Sequence, residues 1–233
     1  MQVYERLKRV GGWFLAVPCP LCAASIAPEL DLCAGCERSL PKLSAACARC
    51  AAPFESLEAA GSICGLCQQE PPTYTTVRAA FRYAAPVDRL IQGAKYAERL
   101  DYAALLGRRL ASHIGASAAA VDVIVPVPLH RSRLRQRGYN QSMEIARPVA
   151  SALGVPLVSL AERARVTPPQ TALSREERQK NVRNAFRTTG DIAAKRVAVV
   201  DDVMTSGATA EMLARCLLKA GASDVEIWVV ARA

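Results

Sequence analysis

Aromatic residues make up only 5% of this 233-residue chain. So sparse a set argues against a surface that holds nucleic acid mainly by stacking its bases. Histidine occurs twice. His113 falls on a helix face and reads as neither ligand nor base; His130 opens a basic stretch and is better placed. No apolar run reaches the length needed to cross a bilayer. There is no GxxxxGK[ST] and no GxGxxG, which excludes a P-loop and the usual dinucleotide turn. Residues 1–18 carry a basic start and a short apolar patch. The first cysteine pair follows at once, with no small-residue cleavage site before it, so the expected compartment is the cytoplasm.

Cysteine, by contrast, is concentrated at the start. Four C-x-x-C pairs stand at Cys19/Cys22, Cys33/Cys36, Cys47/Cys50 and Cys64/Cys67. Each such turn aims two sulfurs at one point, and two turns complete a tetrahedral four-sulfur site. Eight ligands make two structural Zn²⁺ sites with no open position for catalysis. The sequential pairing joins 19, 22, 33 and 36 in one site and 47, 50, 64 and 67 in the other; an interleaved pairing is the alternative. The ninth cysteine, Cys216, lies on an apolar helix face and reads as a small core residue. The formal net charge is +9, which favours anionic partners. With eight thiolates on two zinc ions it falls to about +5.

The most informative stretch is 196–210, RVAVVDDVMTSGATA. Residues 197–201 are four apolar and one acidic, a buried parallel strand ending on a charge. A second acid, Asp202, and a turn of small residues follow, and helical spacing of Met212, Leu213, Cys216 and Leu217 places a helix over 210–220. A helix start offers free N–H groups and a positive dipole end, which suit a phosphate. Gly207 permits close backbone approach, and Thr205, Ser206 and Thr209 add hydroxyls. Asp201 and Asp202 suit ribose hydroxyls or a hydrated Mg²⁺. The ligand expected here is a sugar phosphate.

Elsewhere, 68–76 reads as a linker stiffened by Pro71-Pro72. A strand is expected at 77–83, helices at 86–96 and 100–114, a second buried strand at 121–129, a helix at 140–153 capped by Asn140, a short strand region at 156–164 and a last strand at 224–233. Lys95 either reaches a phosphate or is a solvated lysine beside a packed tyrosine, Tyr96.

The run VVDDVMTSGAT resembles the binding motif for 5-phosphoribosyl 1-pyrophosphate (PRPP) of type I phosphoribosyltransferases. With the cysteine-rich start, the whole chain resembles the ComF family of ComFC/GntX-like competence proteins. The resemblance implies an α/β fold: a mainly parallel open sheet with helices on both faces, preceded by a small zinc-ribbon module. An N-terminal helix and double zinc ribbon would span 1–70, and a phosphoribosyltransferase-like domain 77–233. PRPP with Mg²⁺ would be held by Asp201, Asp202, Thr205, Ser206, Gly207, Ala208 and Thr209. Residues 130–138 would form the pyrophosphate loop, with His130, Arg131, Arg137 and Gly138 as its candidates and Arg133 and Arg135 facing solvent or DNA.

Residues 166–187 would be the loop that closes over substrate. There SREE at 174–177 matches a capping box, and Gln170, Thr171, Arg178, Asn181 and Arg183 resemble the ComF pattern. Type I enzymes choose their base with a hood; this chain stops at Ala233, so either residues 77–102 and the zinc module supply one or there is no nucleobase pocket, and no catalytic residue is assigned. The implied role is PRPP binding and handling of single-stranded DNA in natural transformation or DNA utilisation, with the DNA-uptake machinery as partner and no membrane span. The alternative is an active transferase moving phosphoribosyl to a nitrogen acceptor, a nucleobase or an amine.

Overall fold

The C-x-x-C pairs at 19/22 and 47/50 begin tight turns and those at 33/36 and 64/67 open short helices, and the first elements are built around them. The computed structural model describes residues 16–115, 121–164 and 185–233. The expected N-terminal helix and most of the substrate-closing segment, including its capping box and Gln170, Thr171, Arg178, Asn181 and Arg183, lie outside the described residues. Strand β1 (Val17–Pro18) pairs antiparallel with β2 (Ser25–Ile26), and helix α1 (Ala34–Arg38) follows. These elements belong to one compact unit, 1–41; the rest of the chain, 42–233, forms a second. The second four-cysteine set therefore belongs to the larger unit, and the compact units do not coincide with a division at 70–77.

The larger unit begins with a turn at 47–52 and α2 (Gly65–Gln69). Then come β3 (Thr76–Arg82), α3 (Val87–Tyr96), α4 (Leu100–Ile114), β4 (Val123–Pro126), α5 (Arg131–Arg137) and α6 (Gln141–Leu153). A two-stranded antiparallel ribbon, β5 (Ala161–Arg163) with β6 (Phe186–Thr188), stands to one side. Strand β7 (Arg196–Met204), α7 (Ala208–Lys219) and β8 (Asp224–Arg232) complete the chain. The main sheet is wholly parallel, in the order β3-β8-β7-β4.

The central strands β7 and β8 are buried on both faces, which is why they read as nearly unbroken apolar runs. Side chains alternate between faces. Val197, Val199, Val225, Ile227 and Val229 join one core with Leu213 and Leu217 of α7. Ala198, Val200, Trp228 and Val230 turn to the other face, where α4 and α6 pack on the sheet and on each other. Leu106, Leu110 and Ile145 on those two helices are fully buried, each contributing about 1.5–3 kcal/mol by leaving water.

Two elements differ from expectation. Strand β7 continues to Met204, past both acids, because Val203 and Met204 still pair with Ala231 and Arg232 of β8. Residues 131–137, expected as a loop, form the helix α5. Arginine, leucine and glutamine are good helix formers. His130 caps its start, its ring accepting the Ser132 N–H, and Gly138 ends it with a left-handed φ of +81°.

The α4–α6 contact yields a test. A Cβ on Gly107 would collide with the Ile145 carbonyl oxygen and the Pro148 ring. In a free helix, Gly→Ala stabilises by about 1 kcal/mol. Here Gly107→Ala is expected to destabilise by about 1–3 kcal/mol through overpacking, read as a lowered urea midpoint. A raised midpoint would show that the helices are not packed this closely.

Candidate functional site

Parallel strands bring the turns after β4 and β7 to the same end of the sheet. At that end a cavity of about 230 Å³ is lined by Asp201, by the whole turn Thr205–Thr209, and by Arg133 and Arg163 over a floor of valines. Gly207 caps α7 with φ +79°, a conformation that favours glycine. A Cβ there would lie 2.7 Å from the Met204 methyl. The first turn of α7 has N–H groups with no intrahelical acceptor, an arrangement that suits an anion.

The two acids are held differently. Asp202 is 5% exposed in its side chain and pairs with Lys95 Nζ at 2.9 Å. Burial alone would lower the Lys95 ammonium, but Asp202 and Asp201 outweigh it and hold it above its ordinary value. Asp201 accepts a hydrogen bond from Ser142 Oγ at 2.8 Å, and its own Oδ1 accepts the Asp202 N–H. Burial, with the neighbouring Asp202 carboxylate, pushes the Asp201 carboxyl up to about 7. Asp201 supplies hard oxygen donors to the cavity, the donor type that suits Mg²⁺ or sugar hydroxyls.

Of the residues expected to hold phosphoribosyl, Asp201, Thr205, Ser206, Gly207, Ala208 and Thr209 all line the cavity, and Asp202 sits beside Asp201 with Lys95. The four pyrophosphate candidates stand apart from its lining. His130 caps α5, with Nδ1 2.8 Å from Ser132 Oγ. Arg131 is largely exposed, 3.7 Å from Glu162. Arg137 donates to Gln141 Oε1 and lies over the Tyr96 ring at 5.3 Å. Gly138 ends the helix.

The arginine of α5 that reaches the cavity is Arg133. Arg163 of β5 joins it, brought there by a bridge between His130 and Arg163 and lying over Phe186 at 5.6 Å. Burial and the Arg133 guanidinium both lower the Arg163 pKa, and Asp201 opposes them. Arg163 and Ser142 escape a sequence reading because each acts across a long loop closure. Lys95 is the residue for which a phosphate-reaching role stood open; it reaches an acid instead.

The cysteines gather as two sets, Cys19/Cys22/Cys33/Cys36 and Cys47/Cys50/Cys64/Cys67, so the pairing is sequential. A zinc tetrahedron with bonds of about 2.3 Å has sulfur–sulfur edges of about 3.8 Å. The Cys22–Cys33 and Cys50–Cys64 sulfurs stand 3.6 and 3.7 Å apart, so both sets fit the metal.

The two sites are copies of one ribbon. The sequence C-x-x-C-A-A occurs at 19–24 and 47–52, with Ala23 and Ala51 both at positive φ. In each, the first cysteine N–H donates to the second of the two alanines, at 2.8 and 2.9 Å. Cys33 and Cys64 cap the following short helices with the same backbone conformation. Burial opposes ionisation of Cys19 and Cys47, but backbone N–H donors prevail and draw each thiol down to about 6. Hydrogen bonding to Cys22 and Cys33 pushes Cys36 up. Burial, then the Cys50 and Cys64 sulfurs, pushes Cys67 up. A divalent cation relieves that crowding.

The double zinc ribbon domain model matches residues 11–68, and the phosphoribosyl transferase domain model matches residues 140–233. The chain is 33% identical over 229 residues to the DNA utilization protein YhgH of Salmonella typhi, covering 94% of this chain and 99% of that protein. It is 29% identical over 211 residues to competence protein F of Haemophilus influenzae, covering 87% and 90%. Among solved structures, the glutamine PRPP amidotransferase from B. subtilis, complexed with ADP and GMP, aligns at 25% identity with a TM-score of 0.43, over 59% of this chain and 30% of that one.

The purified chain is expected to carry two zinc ions. Cys47→Ser should leave one, by elemental analysis, and lower the unfolding midpoint of the larger unit, whose core includes Cys47. Two ions retained would mean that the ligand set is wrong.

Proposed function

Because the chain belongs to the ComF/YhgH family, with a phosphoribosyltransferase domain and an N-terminal double zinc ribbon, we propose that it binds Mg²⁺–PRPP and single-stranded DNA in DNA uptake or utilisation. The observation that carries the PRPP half is the sequence of groups along one edge of the cavity: Asp201, with the Asp202–Lys95 pair beside it, then the Thr205–Thr209 turn, then the start of α7. The turn and helix start would take the 5-phosphate, and the acids the ribose hydroxyls. Mg²⁺ would supply charge neutralisation for the pyrophosphate beside Asp201. Arg133 and Arg163 are the cavity's guanidiniums, and they suit the pyrophosphate oxygens.

The DNA half rests on the likeness to a DNA utilization protein and a competence protein, and on charge. Residues 131–136 are all exposed and include Arg131, Arg133 and Arg135, a basic face suited to phosphate backbone.

A transferase reaction is the second reading, favoured by Tyr96. Its side chain is the neighbour of Lys95, the residue is 76% exposed, and it carries the Arg137 guanidinium on its ring. It offers a planar acceptor a stacking face. In that reaction the acceptor nitrogen bonds to the ribose C1 as the C1–O bond to pyrophosphate breaks. The electron pair leaves with pyrophosphate, and the acceptor gives up a proton. Arg133 and Arg163 would stabilise the departing charge.

Four measurements test these readings. Asp202→Asn should weaken Mg²⁺–PRPP binding about 10–100-fold by calorimetry, the loss of one or two charge-assisted contacts, with the circular dichroism spectrum unchanged. Unaltered affinity would remove the acids from the site. Asp201 must release its proton to accept a cation, so affinity should fall up to about tenfold per pH unit below about 7, and Asp201→Asn should flatten that profile. For DNA, log K against log salt should be linear, with a slope reduced by about 0.7 in Arg135→Gln; no salt dependence would exclude backbone contact. Pyrophosphate release that requires one added acceptor would establish the transferase, and binding without release would establish a ligand-sensing role.

A further inference from the structure

Arg232, the last residue of β8, is buried, and its guanidinium is turned entirely to main-chain oxygens. Nε donates to the Cys50 carbonyl at 3.0 Å. Nη1 donates to the Met204 carbonyl at 3.0 Å, to the Thr205 carbonyl at 2.5 Å and to the Ala233 carbonyl. Cys50 is a ligand of the second four-cysteine site, and Thr205 opens the anion-binding turn. One rigid planar fork therefore spans the two, and a guanidinium loses little freedom in doing so.

Two further contacts run the same way. Buried Tyr74 places its hydroxyl 3.6 Å from where a Cβ on Gly207 would stand. The Thr73 N–H donates to Glu211 Oε2, in the first turn of α7, at 3.0 Å. Cys47, Cys50, Cys67, Tyr74, Met204 and Ala210 share one buried cluster. A metal that fixes Cys50 thereby fixes its carbonyl, and through Arg232 the carbonyl end of the turn whose N–H groups face the cavity.

We propose that Arg232 is a positioning residue that couples the zinc site at Cys47, Cys50, Cys64 and Cys67 to the turn at 205–209. Zinc occupancy orders the turn; by reciprocity, an anion bound at the turn retards zinc loss. The reciprocal half rests on the PRPP reading above, and the ordering half does not.

Amide hydrogen exchange on the full zinc-loaded chain decides the ordering half. Cys64→Ser should raise exchange at 204–210 at least tenfold over any rise in α4, which reports general loosening. Cys22→Ser removes the other zinc and should leave 204–210 within twofold. Arg232→Lys keeps the charge but not the fork. It should raise exchange at 204–210 with both zinc ions retained by mass spectrometry, and Cys64→Ser should then add little, a non-additivity that a merely structural arginine would not produce. If 204–210 loosens no more than α4 in Cys64→Ser, or equally in Cys22→Ser, the coupling is overturned; this comparison stands even if Arg232→Lys fails to fold.

The second arm follows zinc release to a chelator. Mg²⁺–PRPP should slow loss of one of the two ions at least threefold. Measurable PRPP binding with unchanged release of both ions would overturn the coupling. No PRPP binding by calorimetry would overturn the PRPP reading instead, and the exchange result alone would then decide the ordering.

Discussion

Two adjacent carboxylates at the end of a strand buried on both faces set the terms for the ligand end of this molecule. A buried, unpaired carboxylate costs several kcal/mol, so Asp201 and Asp202 require partners, and the Asp202 and Val203 N–H groups of β7 supply only part of them. Lys95 reaches Asp202 from α3, and Ser142 reaches Asp201 from α6. Both helices must then dock near the same end of the sheet. Parallel strands place the turns after β4 and β7 at that end as well. The cavity is the space left when these demands are met together, and its charge pattern, acids on the strand and guanidiniums on α5 and β5, comes with it.

The repeated ribbon shows one local structure put to two uses. In the smaller unit, β1, β2 and α1 are too short to bury much of anything, and the four sulfurs of the site are what they share. In the larger unit, three of the four corresponding cysteines are buried and belong to the hydrophobic core below the sheet. The same six-residue pattern thus serves as a substitute for a core in one place and as part of a core in the other. The side chains around the sulfurs decide which.

What could be read in advance was local. The strand–acid–turn–helix order at 196–219 is carried by consecutive residues, so its chemistry was legible, as were the helices at 87–96, 100–114 and 141–153, whose apolar spacing is regular. Sequential cysteine pairing was one of two possibilities, and the duplicated C-x-x-C-A-A pattern at 19–24 and 47–52 was the signal that favoured it. Helix α5 was legible too, from a capping residue at 130, helix-forming residues and a glycine at 138, but the family resemblance implies a pyrophosphate loop there. Arg163 and Arg232 had no local signature. Their meaning depends on what the chain brings near them from as far as 33 positions away for Arg163 and 182 for Arg232, and a pattern search along the sequence does not reach that far.

The indole of Trp228 is fully buried in the sheet, and its N–H donates to Glu226 Oε2 at 2.9 Å. The same carboxylate takes the Arg78 guanidinium of the neighbouring strand β3 at 2.9 Å. Tryptophan emission shifts to shorter wavelength in an apolar, rigid setting and responds to a charge beside the ring. Trp228 is thus a built-in fluorophore at the joint between β8 and β3. With Trp13, the other tryptophan of the chain, replaced, its colour reports whether that edge strand is seated and gives the sheet a signal of its own in experiments that would otherwise see only the cavity or the sulfurs.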